Sequence, residues 1–171
     1  MSGVSWNVNL MDVRVLGCLG GTTQDIVDGI LYSAKLPNRW GVLPLKKADV
    51  INLSFGSQGY SQLMADAISA ARAEGVVVVG AAGNTGNDDN AIMYPASYEG
   101  VISVGATDAS DVVASYSTTN IMVDIVAPGG TNTSGIDKIL STGALINEDS
   151  VTTPTYTYQV GTSMSAPFVT G

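Results

Sequence analysis

Residues 61–83 read SQLMADAISAARAEGVVVVGAAG, and this stretch decides the fold. Ser61 is a good N-cap, and Met64, Ala67, Ile68 and Ala71 then fall on one face at helical spacing. Gly75 stands where a helix-terminating glycine belongs. Val76, Val77, Val78 and Val79 follow at once. Four consecutive Val predict a strand buried on both faces, the pattern of a parallel sheet between helix layers. The glycine-rich turn from Gly80 then marks the carboxyl end of that strand, where α/β proteins place ligands.

The same alternation extends outward in both directions. Upstream, Val50-Ile51-Asn52-Leu53 reads as a strand closed by Gly56 and Gly59. Before it, Thr22 or Thr23 caps a helix whose stripe is Ile26, Ile30 and Ala34, joined by Val27 and Leu31, with Asp25 in its first turn. Pro37 ends that helix, and residues 37–47 read as an exposed connection. Val8 to Leu16 has β-branched residues at period 2 and is expected to be a strand. Downstream, Val101–Val104 and Val123–Val126 are short strands, and Lys138–Ser141 with Tyr156–Val160 look like a later antiparallel pair. Strand, helix, strand, helix, strand predicts an α/β fold with a mostly parallel sheet and right-handed crossovers.

Composition narrows the chemistry. A chain of 171 residues, 45% apolar, suits one domain with a buried core. No apolar run approaches the roughly 20 residues of a membrane-spanning helix, so no membrane partner is expected. One Cys (Cys18) and no His exclude the common zinc sites, an internal disulfide, and any Ser–His or Cys–His pair made from this chain alone. The net charge is −8, and six of the 7 basic residues precede residue 73. No basic patch is available for phosphates, so nucleic acid is not an expected partner. The first residues, Met1 to Trp6, carry neither the basic region nor the apolar run of a signal peptide.

Two segments carry the chemistry. Gly80-Ala81-Ala82-Gly83-Asn84-Thr85-Gly86 follows the Val strand, but its spacing is not that of a dinucleotide or phosphate loop, and Asn87 to Asn90 is a polar loop rather than a helix. Gly161-Thr162-Ser163-Met164-Ser165-Ala166-Pro167 reads as a helix start with a Ser in its first turn. The hydroxyl there lies at the positive end of the helix dipole, and the Ser N–H is not yet committed to a helical bond. This arrangement suits a nucleophile with an oxyanion donor beside it; a Ser at such a position is otherwise an ordinary cap.

In combination these segments resemble the subtilisin family (subtilases). The Ser163 segment is similar to the family's active-serine motif, and Ala81-Ala82-Gly83-Asn84 to its oxyanion-asparagine segment. Val50 to Gly56 resembles its substrate-binding strand. Tyr94-Pro95-Ala96, Val101 to Ala106, and Val123 to Gly129 match further motifs in the family's order. The resemblance runs from about Val4 to Gly171. It implies a three-layer α/β fold in which residues 1–171 form part of a catalytic domain, an internal piece truncated at both ends.

The resemblance also implies roles. Ser163 is the expected nucleophile, and the Asn84 side-chain amide with the Ser163 N–H the expected oxyanion hole. Ser54, Phe55 and Gly56 would form one wall of the specificity pocket, and Ala82 and Gly83 part of the other. Leu16, Gly17 and Gly20 would belong to a second strand that clamps the substrate backbone, and Ile26 with Phe55 would line an apolar pocket further along it. The family's Asp and His lie before the strand expected at Val8, so the chain alone is expected to be inactive. No cofactor is required. Structural calcium is expected at most in a longer protein, with Ala96, Tyr98 and Asp124 as the weak candidates. Expected partners are a peptide or protein substrate and a propeptide or protein inhibitor, for a secreted, monomeric enzyme. A sedolisin-like carboxyl-serine peptidase and a non-catalytic pseudoprotease or binding module are the alternatives. Cys18 reads as a small buried apolar residue, Met164 as core filler or an oxidation-sensitive neighbour of the nucleophile, and Asp88-Asp89 as a solvated loop.

Overall fold

The computed structural model describes residues 4–131, 137–146 and 152–171. In chain order the elements are α1 (Thr23–Ser33), β1 (Val50–Leu53), α2 (Gln62–Ala73), β2 (Val77–Ala81), β3 (Val101–Thr107), β4 (Ile125–Pro128), β5 (Ile139–Ile146), β6 (Thr152–Gln159) and α3 (Thr162–Thr170). Strands β1 to β4 form a parallel sheet in the order β1-β2-β3-β4, and β5 pairs with β6 in a separate antiparallel hairpin.

The Val run separates two cores. Val78 packs with Ile26, Val27 and Ile30 of α1 and Met64, Ile68 and Ala71 of α2. Its neighbour Val79 packs on the other side, with Val104, Ala127 and Ala166 of α3. Side chains alternate across a strand, so adjacent Val residues feed opposite layers. The result is three layers: α1 and α2, the sheet, then α3. Val77 falls on the same face as Val79 by alternation, yet it is 44% exposed.

The helix starts follow the expected caps. The Thr22 side chain accepts from Asp25 N–H while the Asp25 carboxylate accepts from Thr22 N–H, a complete capping box. Ser61 caps α2 by accepting from Met64 N–H. Gly75 follows α2 at φ +79°.

Two expectations are corrected. Residues 8–16 form no strand. Val8 and Leu10 (93% exposed) point to solvent, and a backbone bridge joins Gly17 and Gly20 beyond them. Strand propensity is realised only against a paired neighbour, and this segment has none among the described residues. The strand expected at Val123–Val126 begins two residues later. Val123 N–H closes a turn on Asn120 C=O, and Asp124 is spent on Ser103, its N–H to the carbonyl and its carboxylate accepting from Ser103 N–H.

Candidate active site

Ser54-Phe55-Gly56 leaves the carboxyl end of β1, Ala82-Gly83-Asn84 leaves that of β2, and α3 begins beside both. Gly161 is the N-cap of α3 at φ +142°, a conformation side-chain-bearing residues rarely adopt. A Cβ there would meet Asn84 Nδ2 only at an ordinary contact distance of 3.4 Å, so it is the backbone conformation that calls for glycine.

Ser163 is the second residue of α3, so its N–H has no intrahelical acceptor. Its Oγ donates to Ser54 C=O at 3.0 Å, and Ser54 Oγ donates back to Ser163 C=O at 2.9 Å. Asn52 Nδ2 donates to Ser54 Oγ at 2.8 Å, while Asn52 Oδ1 accepts from Thr170 Oγ1 at the far end of α3 at 3.1 Å. The helix that carries Ser163 is thereby tied to the β1 exit at both of its ends.

Asn84 is held by its oxygen. Oδ1 accepts from Thr162 N–H and from Thr162 Oγ1, both at 3.0 Å, and Thr162 Oγ1 in turn accepts from Gly83 N–H at 3.2 Å. With two donors on Oδ1, a flipped amide would oppose N–H to N–H. The Nδ2 donors are therefore left for a ligand.

Phe55, Gly56, Ala81, Gly83, Asn84, Thr85, Met93, Thr162 and Ser163 enclose a pocket of about 250 Å³. Gly83 has φ +109°, and a Cβ on it would lie 2.6 Å from Met93 Cγ, so glycine is required both by conformation and by close approach. Ala82 is buried behind this wall, and Ala81 faces the pocket in its place.

Leu16, Gly17 and Gly20 do not join this pocket; they line a second depression of about 220 Å³ with Arg14, Asp25 and Trp40. Ile26 is in the α1 core, against which Phe55 also packs. Ala96 is buried, Tyr98 hydroxyl bonds the Ser61 backbone, and Asp124 bonds Ser103. No cluster of three or more His, Cys, Asp or Glu suited to a metal occurs among the described residues. Cys18 is exposed rather than buried. Tyr116 hydroxyl donates to Gly130 C=O at 2.7 Å, and burial pushes its pKa above the ordinary phenol range against an opposing hydrogen bond from the Gly161 backbone.

Sequence reasoning missed Met93 and the clamp supplied by Thr162. Met93 directly precedes the Tyr94-Pro95-Ala96 motif, but only the folded chain shows why it returns to the site. Ser57 and Tyr94 exchange backbone bonds of 2.8 and 2.7 Å, which brings Met93 against Gly56 and Gly83.

The family model described as the Subtilase family matches residues 1–171, the whole chain. The chain belongs to the subtilase family. Among curated subtilase relatives, a thermophilic serine proteinase of Bacillus sp. (strain AK1) is 39% identical over 100% of this chain and 36% of its own length. Subtilisin DY of Bacillus licheniformis is 37% identical over 99% of this chain and 54% of its own length. A solved protease structure from Pseudoalteromonas arctica superposes with TM-score 0.89 at 39% identity, covering 99% of this chain and 50% of that one. The present subtilase chain thus spans about a third to about half of these three proteins. No helix among its described residues is long and apolar enough to cross a membrane.

Proposed function

We propose that the protein carrying this chain is a subtilisin-like serine endopeptidase, with Ser163 as nucleophile and Asn84 as oxyanion donor. The observation that supports this most is their convergence. Ser163 at a helix N-terminus and an amide whose oxygen is pinned by Thr162 border one pocket. In the reaction, Ser163 Oγ bonds to the scissile carbonyl carbon, and the C–N bond breaks as its proton passes through a base to the leaving amine. Water then releases the acyl group. The Asn84 Nδ2–H and Ser163 N–H stabilise the negative oxygen in between.

These 171 residues contain no His to serve as that base. Ser163 Oγ instead rests on Ser54 C=O, an acceptor too weakly basic to remove its proton. The chain by itself is therefore expected to show negligible proteolysis. Secretion, a propeptide or protein inhibitor as partner, and structural calcium in a longer protein belong to the same proposal. Treatment of the longest protein that carries this chain with a fluorophosphonate tests it. A covalent adduct on Ser163, located by peptide mass mapping, is expected, and an unlabelled Ser163 in folded protein refutes the reading.

A further inference from the structure

We propose that Asn52 is a positioning residue for Ser163. Its amide acts through Ser54 at the start of α3 and on Thr170 at the end, and so fixes the slide and rotation of the helix that aims the Ser163 hydroxyl and N–H. The proposal rests on the endopeptidase reading and adds a residue to that site.

Asn52 is the exception in its strand. Ile51 and Leu53 are buried in the core shared with α1 and α2. Alternation turns Asn52 to the opposite side, where Val50 packs with Val79, Val104 and Ala166. Packing alone would place an apolar side chain there. The partners of the amide explain its presence. Ser54 Oγ has one proton, which goes to Ser163 C=O at 2.9 Å, so it must accept from Asn52 Nδ2 at 2.8 Å. That fixes which way the amide points, and Asn52 Oδ1 is left to accept from Thr170 Oγ1 at 3.1 Å.

Ser163 and Thr170 lie about two turns, or about 10 Å, apart along the helix axis, so one side chain reaches both ends of one helix face. Between those ends α3 is buried through Ser165 and Ala166. Both are small, the Ser165 hydroxyl has no hydrogen-bond partner, and non-directional packing resists sliding only weakly. Thr162 anchors the first turn to the β2 exit through Asn84, and Asn52 supplies the matching tie to β1. Without the amide, Ser54 Oγ is free to turn away from Ser163 C=O. An error of about 1 Å at a reacting group can cost about 100-fold in rate. Asn52 does not line the substrate pocket, so its loss should lower kcat and leave KM in place.

The test uses the longest protein that carries this chain, with a peptide substrate. Asn52→Asp keeps the acceptor facing Thr170 but loses the donor to Ser54, whose proton then turns to the carboxylate. Asn52→Leu removes both bonds and adds apolar contact. Each is expected to lower kcat about tenfold with KM changed by less than about twofold. Asn52→Leu should do so without a fall in urea midpoint, which separates positioning from stability. In a Ser54→Ala background, Asn52→Asp should lower kcat by less than about twofold further, because its route to Ser163 is gone. An unchanged kcat in both folded single variants overturns the proposal. So does a loss confined to KM, or a full tenfold loss that persists beside Ser54→Ala. A wild-type protein that neither cleaves peptide nor labels with fluorophosphonate removes the endopeptidase reading instead. The link from Asn52 to Ser54 is then read from urea midpoints. Shifts for Asn52→Asp and Ser54→Ala that fail to add support it, and shifts that add overturn it.

Discussion

Replacing Thr162 by Val removes one oxygen from a shape that is otherwise retained. The hydroxyl is 1% exposed by residue, donates to Asn84 Oδ1 at 3.0 Å and accepts from Gly83 N–H at 3.2 Å. Asn84 Oδ1 keeps its second donor, the Thr162 N–H at 3.0 Å, so the loss on that side is one ordinary bond, about 1 kcal/mol net. Gly83 N–H is left without its acceptor in a half-buried place, which adds about 1 kcal/mol or somewhat more. The methyl group fills the vacated volume, so no cavity term enters. The expected destabilisation is about 2 kcal/mol, read as a fall in urea midpoint at unchanged slope. Asn84→Ala removes the shared acceptor from both Thr162 donors. The double variant should therefore lose less than the sum of the singles, by about 1 kcal/mol. A Thr162→Val loss below about 0.5 kcal/mol, or strict additivity with Asn84→Ala, would refute the claim that Thr162 holds the amide.

Asp28→Ala should cost about 2–3 kcal/mol in the same denaturation assay. The buried Asp28 carboxylate accepts from Arg39 N–H and pairs with Arg39 Nε, both at 2.9 Å. The half-exposed Arg39 can turn to water, which keeps the cost below that of stranding a buried charge. Tyr116→Phe should flatten the alkaline limb of the stability profile. Burial raises the folded-state pKa, so the tyrosine contributes stability that is present below the ordinary phenol range and lost as pH rises through the raised value. Melting temperatures measured from neutral pH upward check this, and equal alkaline slopes for the two proteins would contradict it.

The layered core was legible because its signals are local. Caps at Thr22 and Ser61, the stripe from Met64 to Ala71 and the Val run each announce themselves within a few residues, and the structure assembles them as expected. The segment 8–16 failed for the opposite reason, since a strand exists only with its neighbour, and period 2 does not say whether one is there. At the candidate site, motifs singled out Ser163 and Asn84, and the fold brings them to one pocket. Met93 and Thr162 were hidden because their roles arise from contacts across long stretches of chain, Met93 with Gly56 and Gly83, Thr162 with Gly83 and Asn84. Hydrophobic or cap-like on their own, such residues carry no pattern that a single sequence reveals.

The hairpin of β5 and β6 has a consequence for how this protein can vary. Among the described residues it joins no other sheet, and its root is pinched shut where Gly161 N–H donates to Gly129 C=O at 3.0 Å. The chain thus leaves β4 and re-enters α3 at nearly the same point. The hairpin between these points is a detour, and the side-chain bonds that hold Ser163 come from Ser54, outside it. Because the entropy of closing a loop grows only slowly with its length, that detour can be shortened to a turn or enlarged into a module while Ser163 keeps its place.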